Sequence, residues 1–263
     1  RASDPKTLRC LKSSDDGHQA PGFNFAPGAA APGANTFDAE QLIAYEAGAK
    51  TQFWDRRGTF NVAAFYYDYS DMQIRSTVGV GVTRVDNAAS AVVQGIEADF
   101  DPDLPSGFSF GLHATYLDAT YEAFCQPISG GDPQGADPLC AAGIANRSGN
   151  RLNQAPEWSG GARIAYETPV GSLGTLNASV TYDFATSIYY VSSANEDIAS
   201  SGDWGSFGAR LGLEFGDGPE VFVFGRNLTD ERYLAYSARI NAGILYQSFN
   251  DPRTYGVGVR YRY

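Results

Sequence analysis

The last ten residues, Thr254-Tyr255-Gly256-Val257-Gly258-Val259-Arg260-Tyr261-Arg262-Tyr263, set the period by which the rest of the chain is read. Tyr255, Val257, Val259, Tyr261 and Tyr263 share one parity, while Thr254, Gly256, Gly258, Arg260 and Arg262 share the other. Successive side chains of an extended chain point to opposite faces, so the segment reads as a strand with one apolar, aromatic face and one small or charged face. Upstream the period returns. Leu176, Ala178, Val180, Tyr182 and Phe184 oppose Asn177, Ser179, Thr181 and Asp183, and Phe207, Ala209, Leu211, Leu213 and Phe215 oppose Gly208, Arg210, Gly212 and Glu214. Similar runs surround Tyr45 to Phe53, Ile96 to Phe100, Phe108 to Tyr116 and Trp158 to Tyr166. Two more, near Phe60 to Tyr69 and Val221 to Asn227, are apolar on both parities, which leaves their orientation open. The pattern predicts about nine strands and no helix.

The connections alternate in length. Short turns fall at Asp55 to Gly58, Asp101 to Gly107, Thr168 to Gly174 and Gly216 to Pro219, and long connections at about 76 to 90, 125 to 154, 190 to 204 and 232 to 252. Tight turns on one rim and extended loops on the other is the layout of outer-membrane barrels. Aromatic residues gather near the predicted strand ends, as in the two girdles of a membrane barrel. A soluble sandwich or lipocalin-like barrel alternates too. The rim asymmetry, the strand length and an Arg- and Glu-bearing face opposite the apolar one favour an all-β, antiparallel transmembrane β-barrel. Residues 1–38, rich in Pro, Gly and Ala and without periodicity, read as loop or linker, and 39–263 as barrel.

Composition narrows the function. The net charge is -11, and a surface that acidic repels a phosphate backbone, so no nucleic-acid partner is expected. No run of 18 or more apolar residues occurs, which removes the transmembrane-helix reading but not a strand-based span. The chain opens on Arg1 without an initiator Met and is read as a piece of a longer protein. Cys125 and Cys140 flank a Gly/Pro/Asp-rich segment and are a candidate disulfide, which needs an oxidising compartment. The spacing leaves open whether they are bonded, and Cys10 has no assigned role. His18 and His113 stand far from any cysteine pair, so no metal site or other cofactor is expected. No nucleophile elbow, phosphate-binding loop or His-Glu-x-x-His motif occurs, and no enzymatic activity is expected.

The segment Phe224-Gly225-Arg226-Asn227-Leu228-Thr229-Asp230-Glu231-Arg232-Tyr233, followed by Pro252-Arg253-Thr254-Tyr255-Gly256-Val257 and an aromatic terminus, resembles the last two strands of TonB-dependent receptors. Tyr45-Glu46-Ala47-Gly48-Ala49-Lys50, Ala64-Phe65-Tyr66-Tyr67-Asp68-Tyr69-Ser70-Asp71-Met72-Gln73, Asn87-Ala88-Ala89 with Gln94-Gly95-Ile96-Glu97, Leu117-Asp118-Ala119-Thr120-Tyr121, and Gly149-Asn150-Arg151-Leu152 with Ala155-Pro156-Glu157-Trp158 resemble the same family in the same order. The resemblance runs from about residue 40 to the end. It implies the C-terminal portion of a 22-stranded barrel whose lumen holds a plug. The plug and the remaining strands are expected upstream, since nine antiparallel strands end with their outer members running the same way and do not close alone. The implied function is energy-coupled uptake of a scarce nutrient such as a ferric siderophore, with a passive porin or a soluble β-structured binding protein as rivals. The implied partners are outer-membrane lipid, the TonB complex acting through the plug, and the barrel-assembly machinery. That machinery would read the C-terminal signal Tyr255, Tyr261 and Tyr263; the last stands where the family usually has Phe.

Candidate functional residues follow from position. Asn227, Leu228, Thr229, Asp230, Arg232 and Tyr233 form the family motif, and their side chains are read first as hydrogen-bonding a strand end as it turns into a loop. Tyr189, Tyr190, Trp204 and Tyr246 fall in long loops and are candidate ligand contacts by location, with girdle or loop packing as the alternative. Lumen-facing Arg163, Arg210, Arg260 and Arg262 are expected to ladder with Glu97, Asp99, Asp183 and Glu214.

Overall fold

The computed structural model describes residues 8–24, 35–79, 82–102, 104–127, 140, 144–190, 199–216, 218–241 and 244–261. Strands run over Leu8–Gln19 (β1), Gly22–Phe23 (β2), Thr36–Phe37 (β3), Glu40–Phe53 (β4), Gly58–Gly79 (β5), Val82–Pro102 (β6), Phe108–Pro127 (β7), Ile144–Asn146 (β8), Trp158–Val170 (β9), Gly174–Ala185 (β10), Trp204–Glu214 (β11), Glu220–Arg226 (β12), Leu234–Asn241 (β13), Ile244–Phe249 (β14) and Thr254–Arg260 (β15). The main sheet follows the path β1-β4-β5-β6-β7-β9-β10-β11-β12-β15, with β8 paired to the end of β7; β2 with β3 and β13 with β14 are separate hairpins. Every neighbour on the path is antiparallel.

Register turns the alternation into two faces. Val180 sits between Ile164 of β9 and Ala209 of β11, and Ser179 beside it sits between Ala165 and Arg210. The apolar row stays open: Val180 is 50% exposed, Leu211 48%, Val257 72% and Val259 69%. A two-layer soluble core would bury these side chains, so the sandwich rival fails on this observation.

The two strands without a readable orientation are fixed by their neighbours. On β12, Val221 and Val223 join the exposed apolar face, while Phe222 lies opposite Gly212 and Gly258, and Phe224 opposite Gly256. A Cβ on Gly256 would meet the Phe224 ring at 3.0 Å, and one on Gly258 would meet the Phe222 ring. The rings cover bare backbone on the charged face, which only glycine permits. On β5, Phe60 and Tyr66 are exposed with the apolar row, and Phe65 turns the other way, over Gly95.

Three expectations change. The stretch 1–38 is not all loop: β1 pairs residue for residue with β4, from Leu8 opposite Thr51 to Gln19 opposite Glu40. Its apolar-face parity holds Cys10, Lys12, Ser14 and Asp16, opposite Ala49, Ala47, Tyr45 and Ile43, and these polar residues erased the alternation. With β1 the path has ten strands rather than nine, an even number whose outer members run in opposite directions, so strand direction no longer forbids closure. The long connections are also partly strand. The β5–β6 ladder continues through most of 76 to 90, past register shifts near Asp71, whose φ is 53°. Residues 232 to 252 contain the β13–β14 hairpin.

A small core lies at the long-loop end, where Ala89, Ala91, Tyr121 and Phe124 are buried with Tyr69, Met72, Ile74 and Leu152 packed on them. At the opposite rim Arg57 N donates to Trp54 O (3.1 Å), and Trp54, Asp55 and Arg56 all have positive φ. The Asp55 to Gly58 turn is thus a tight one.

Candidate functional site

The family motif lies where β12 ends. Asn227, 7% exposed and at φ 48°, binds three backbone groups. Its Nδ2 donates to Glu231 O (2.9 Å) and Asp251 O (3.0 Å), and its Oδ1 accepts from Glu231 N (2.9 Å). Asn250 mirrors it, donating to Glu231 O (2.9 Å) and accepting from Tyr233 N (3.0 Å). Asp230 accepts from Arg253 N (3.0 Å). Leu228 N donates to Phe207 O (2.9 Å), and Leu228 caps Gly225. Arg232 lies over the Phe249 ring, 4.1 Å from its centroid. Together these side chains hold the roots of one long loop, which is a structural task. Among the described side-chain contacts of this clamp, none involves Thr229.

That clamp aims the β13–β14 hairpin toward the sheet. Tyr233 stacks on Trp204, with centroids 4.4 Å apart and planes 8° from parallel. Trp204 has the parity of Arg210, so it stands on the charged face and not in a girdle. Tyr190 OH donates to Leu234 O (2.9 Å), and its ring neighbours Tyr236 at 6.4 Å, which in turn neighbours Tyr246 at 6.2 Å. Burial raises the Tyr190 phenol above its ordinary value, and burial followed by Asp183 and Asp251 raises that of Tyr233. Both remain neutral donors at physiological pH. Tyr189 acts through its backbone, accepting from Gln154 N (2.8 Å) and bridging to Ser200. Trp204, Tyr190 and Tyr246 therefore belong to one aromatic cluster. Tyr233 and Tyr236 complete it, and Tyr236 carried no signal in a connection read as loop.

The charged face carries ion pairs around an unexpected centre. Glu220, 5% exposed, forms ion pairs with Arg210 at 2.7 Å and Arg260 at 3.7 Å. The expected partner Glu214 sits opposite Glu220 in the register, and Arg262 lies outside the described residues, as does Tyr263. Tyr255 and Tyr261 are exposed, Tyr255 at the end of β15 nearest Asn227 and Tyr261 just past the other end. Two further residues hold the rim: Asn87 donates to Asp38 O (2.9 Å) and Asp71 O (2.7 Å), and Gln73 donates to Ala20 O and Asp38 O (both 3.0 Å). They anchor the bulge and the strand that follows β3. Cys125 and Cys140 are joined in a disulfide with Cα atoms 5.8 Å apart, beside buried Phe124. Cys10 is free and exposed.

A model of the TonB dependent receptor-like β-barrel matches residues 13–228. The chain belongs to this family. TonB-dependent receptor barrels are outer-membrane proteins, and this chain is a stretch of such a wall. The match begins inside β1 and ends at Leu228, so it takes in a segment first read as loop and leaves out most of the C-terminal motif. Solved structures extend further. The ferric yersiniabactin uptake receptor FyuA from Yersinia pestis is similar with a TM-score of 0.74 and 21% identity, over 96% of this chain and 34% of that one. The siderophore receptor PiuA from Acinetobacter baumannii gives 0.69 and 15%, over 96% and 33%. The copper transporter OprC gives 0.67 and 13%, over 98% and 37%. The chain thus spans about a third of the length of the solved proteins it matches.

Proposed function

We propose that the chain is the C-terminal barrel portion of an energy-coupled uptake receptor for a scarce nutrient such as a ferric siderophore, and that it acts in transport and not as an enzyme. The observation that carries the reading is the aromatic cluster. A clamp of Asn227, Asp230 and Asn250 holds the roots of a long loop, and Trp204, Tyr233, Tyr190, Tyr236 and Tyr246 gather at the long-loop end of the sheet. Membership of the TonB dependent receptor-like β-barrel family counts against a passive porin.

In this reading the exposed apolar face meets outer-membrane lipid. The charged face meets a plug supplied by the upstream chain, through which the TonB complex does work. Tyr255, Tyr261 and Tyr263 are the residues the assembly machinery would read. The similar structures of a ferric yersiniabactin uptake receptor and a siderophore receptor support an iron chelate as cargo, and that of a copper transporter points to the same architecture serving other metals. The test is uptake of radioactive iron, offered as chelates, by iron-starved cells with and without the full-length gene. Energy-dependent uptake that disappears with the gene is the expected result. Uptake that persists after the proton gradient is collapsed would make the protein a porin.

A further inference from the structure

Toward the long-loop end the β5–β6 hairpin loses its neighbours. Pairing of β4 with β5 ends at Gln41 opposite Ser70, and pairing of β6 with β7 ends at Ala89 opposite Phe124. From Gln73 opposite Asn87 to Gly79 opposite Val82 the two strands pair only with each other among the described ladders. A two-stranded ribbon is marginally stable by itself. The base of this one is also broken on both strands. Tyr69 pairs with Ala91 and Met72 with Ala89, which leaves one extra residue on β5; Gln73 then pairs with Asn87, which leaves one extra on β6. Asp71, on the β5 bulge, is at φ 53°, in the left-handed region. A bulge interrupts the ladder and bends its strand, so bulges at one level on both strands make a joint across the ribbon.

Two sets of contacts hold the ribbon at that joint. Met72 and Ile74 pack on the buried cluster of Ala89, Ala91, Tyr121 and Phe124, which is continuous with the sheet below and serves as the pivot. The other set is polar and comes from the connection between β1 and β4. The Asn24 side chain donates to Val85 O and accepts from Val85 N, both at 2.7 Å, the pair of bonds that a third strand would supply. Gln73 donates to Ala20 O and Asp38 O (both 3.0 Å), and Asn87 accepts from Asp38 N (2.6 Å) and donates to Asp38 O (2.9 Å). Residues 20–24 and 35–38, which carry the β2–β3 hairpin, thus tie both strands of the ribbon as a strap. The side-chain bonds of Gln73 and Asn87 are exposed, and water replaces such bonds at little net cost, whereas it cannot replace the packing at the pivot.

We propose that 73–79 and 82–87 form a hinged arm and that the strap is its latch: release of the strap lets the arm swing about the double bulge and opens the long-loop end while the sheet below stays fixed. The use of that swing as a gate for cargo rests on the uptake-receptor reading.

The hinge is tested by hydrogen exchange on the full-length receptor in detergent micelles, without ligand. Peptides from 73–79 and 82–87 are expected to exchange as one unit, roughly tenfold or more faster than those from 58–69 and 92–101. Gln73→Leu combined with Asn87→Leu should raise exchange in the arm further and leave the ladder below the bulge unchanged. A second measurement does not depend on the folding of that variant. Asn24→Cys with Val85→Cys, once oxidised, ties strap to arm and should bring the arm to the protection of the ladder below, and reductant should undo this; the wild type in the same reductant controls for Cys125–Cys140. Equal protection above and below the bulge in the unlocked receptor, or exchange that spreads below it in the leucine variant, overturns the hinge. In iron-starved cells the oxidised pair should take up radioactive iron, offered as chelates, severalfold more slowly than the reduced pair. Equal uptake in the two states overturns the gate and leaves the uptake reading standing. Absence of energy-dependent uptake by the wild type overturns that reading and the gate together, and the exchange data then decide the hinge alone.

Discussion

At Asn227 a single side chain closes three hydrogen bonds to backbone on both sides of a long loop, from a backbone conformation that Asn tolerates better than most residues. Asn227→Ala is expected to destabilise the receptor by about 2–3 kcal/mol, because buried backbone groups lose their partners. The measurement is the urea midpoint of the folded, heat-modifiable band on a gel. An unchanged midpoint would show that water replaces the amide at no cost. Asn227→Asp keeps the acceptor for Glu231 N and loses both donations, so it should fall between the two. This role was legible in the sequence, because Asn followed by Thr and Asp at a strand end is turn chemistry. The roles of Gln73 and Asn87 were not: each reaches backbone that is distant in the chain, and local spacing holds no trace of that.

Strand by strand, the alternation was readable where one parity was polar and the other apolar, and it failed in two ways. On β12 both parities are apolar, and the deciding residues are glycines on β11 and β15 that accept the Phe222 and Phe224 rings. On β1 the parity that faces outward is polar, so a strand looked like loop. Two predictions follow from these faces. Val180→Arg, on the apolar row of β10 between Ile164 and Ala209, should cost about 2–4 kcal/mol at mid-membrane, whereas Ser179→Arg one residue away should cost under about 1. Comparing the two in lipid vesicles isolates the face from the chemistry, and equal costs would contradict the assigned orientation. Lys12→Leu works in the other direction. Opposite Ala47 in the body of β4, an outward ammonium meets hydrocarbon, and its removal should stabilise the full-length barrel by about 2 kcal/mol, less what the side chain recovers by snorkelling. A loss of stability would mean that protein, and not lipid, covers β1.

For the molecule as a whole, the open question is what the two ends of the path meet. Along the described residues β1 and β15 are its edges, each with a row of unsatisfied backbone donors and acceptors. In hydrocarbon such a row costs several kcal/mol per group, so membrane strands occur only in closed sheets. Strand direction permits β1 to pair with β15, since ten antiparallel strands end in opposition, but diameter argues against it. Barrel diameter grows with strand number, and this sheet superposes on about a third of much larger receptors, whose curvature is that of a wide wall. Closing ten strands would tighten that curvature and crowd Phe65, Phe222, Phe224 and the Arg210–Glu220–Arg260 group into a narrow lumen. Refolded by itself into detergent micelles, the chain is therefore expected to give no heat-modifiable, protease-resistant band, while the full-length protein gives one under the same conditions. A resistant band from the chain alone would show that β1 and β15 can satisfy each other, and would reduce the upstream strands from a structural requirement to a functional one.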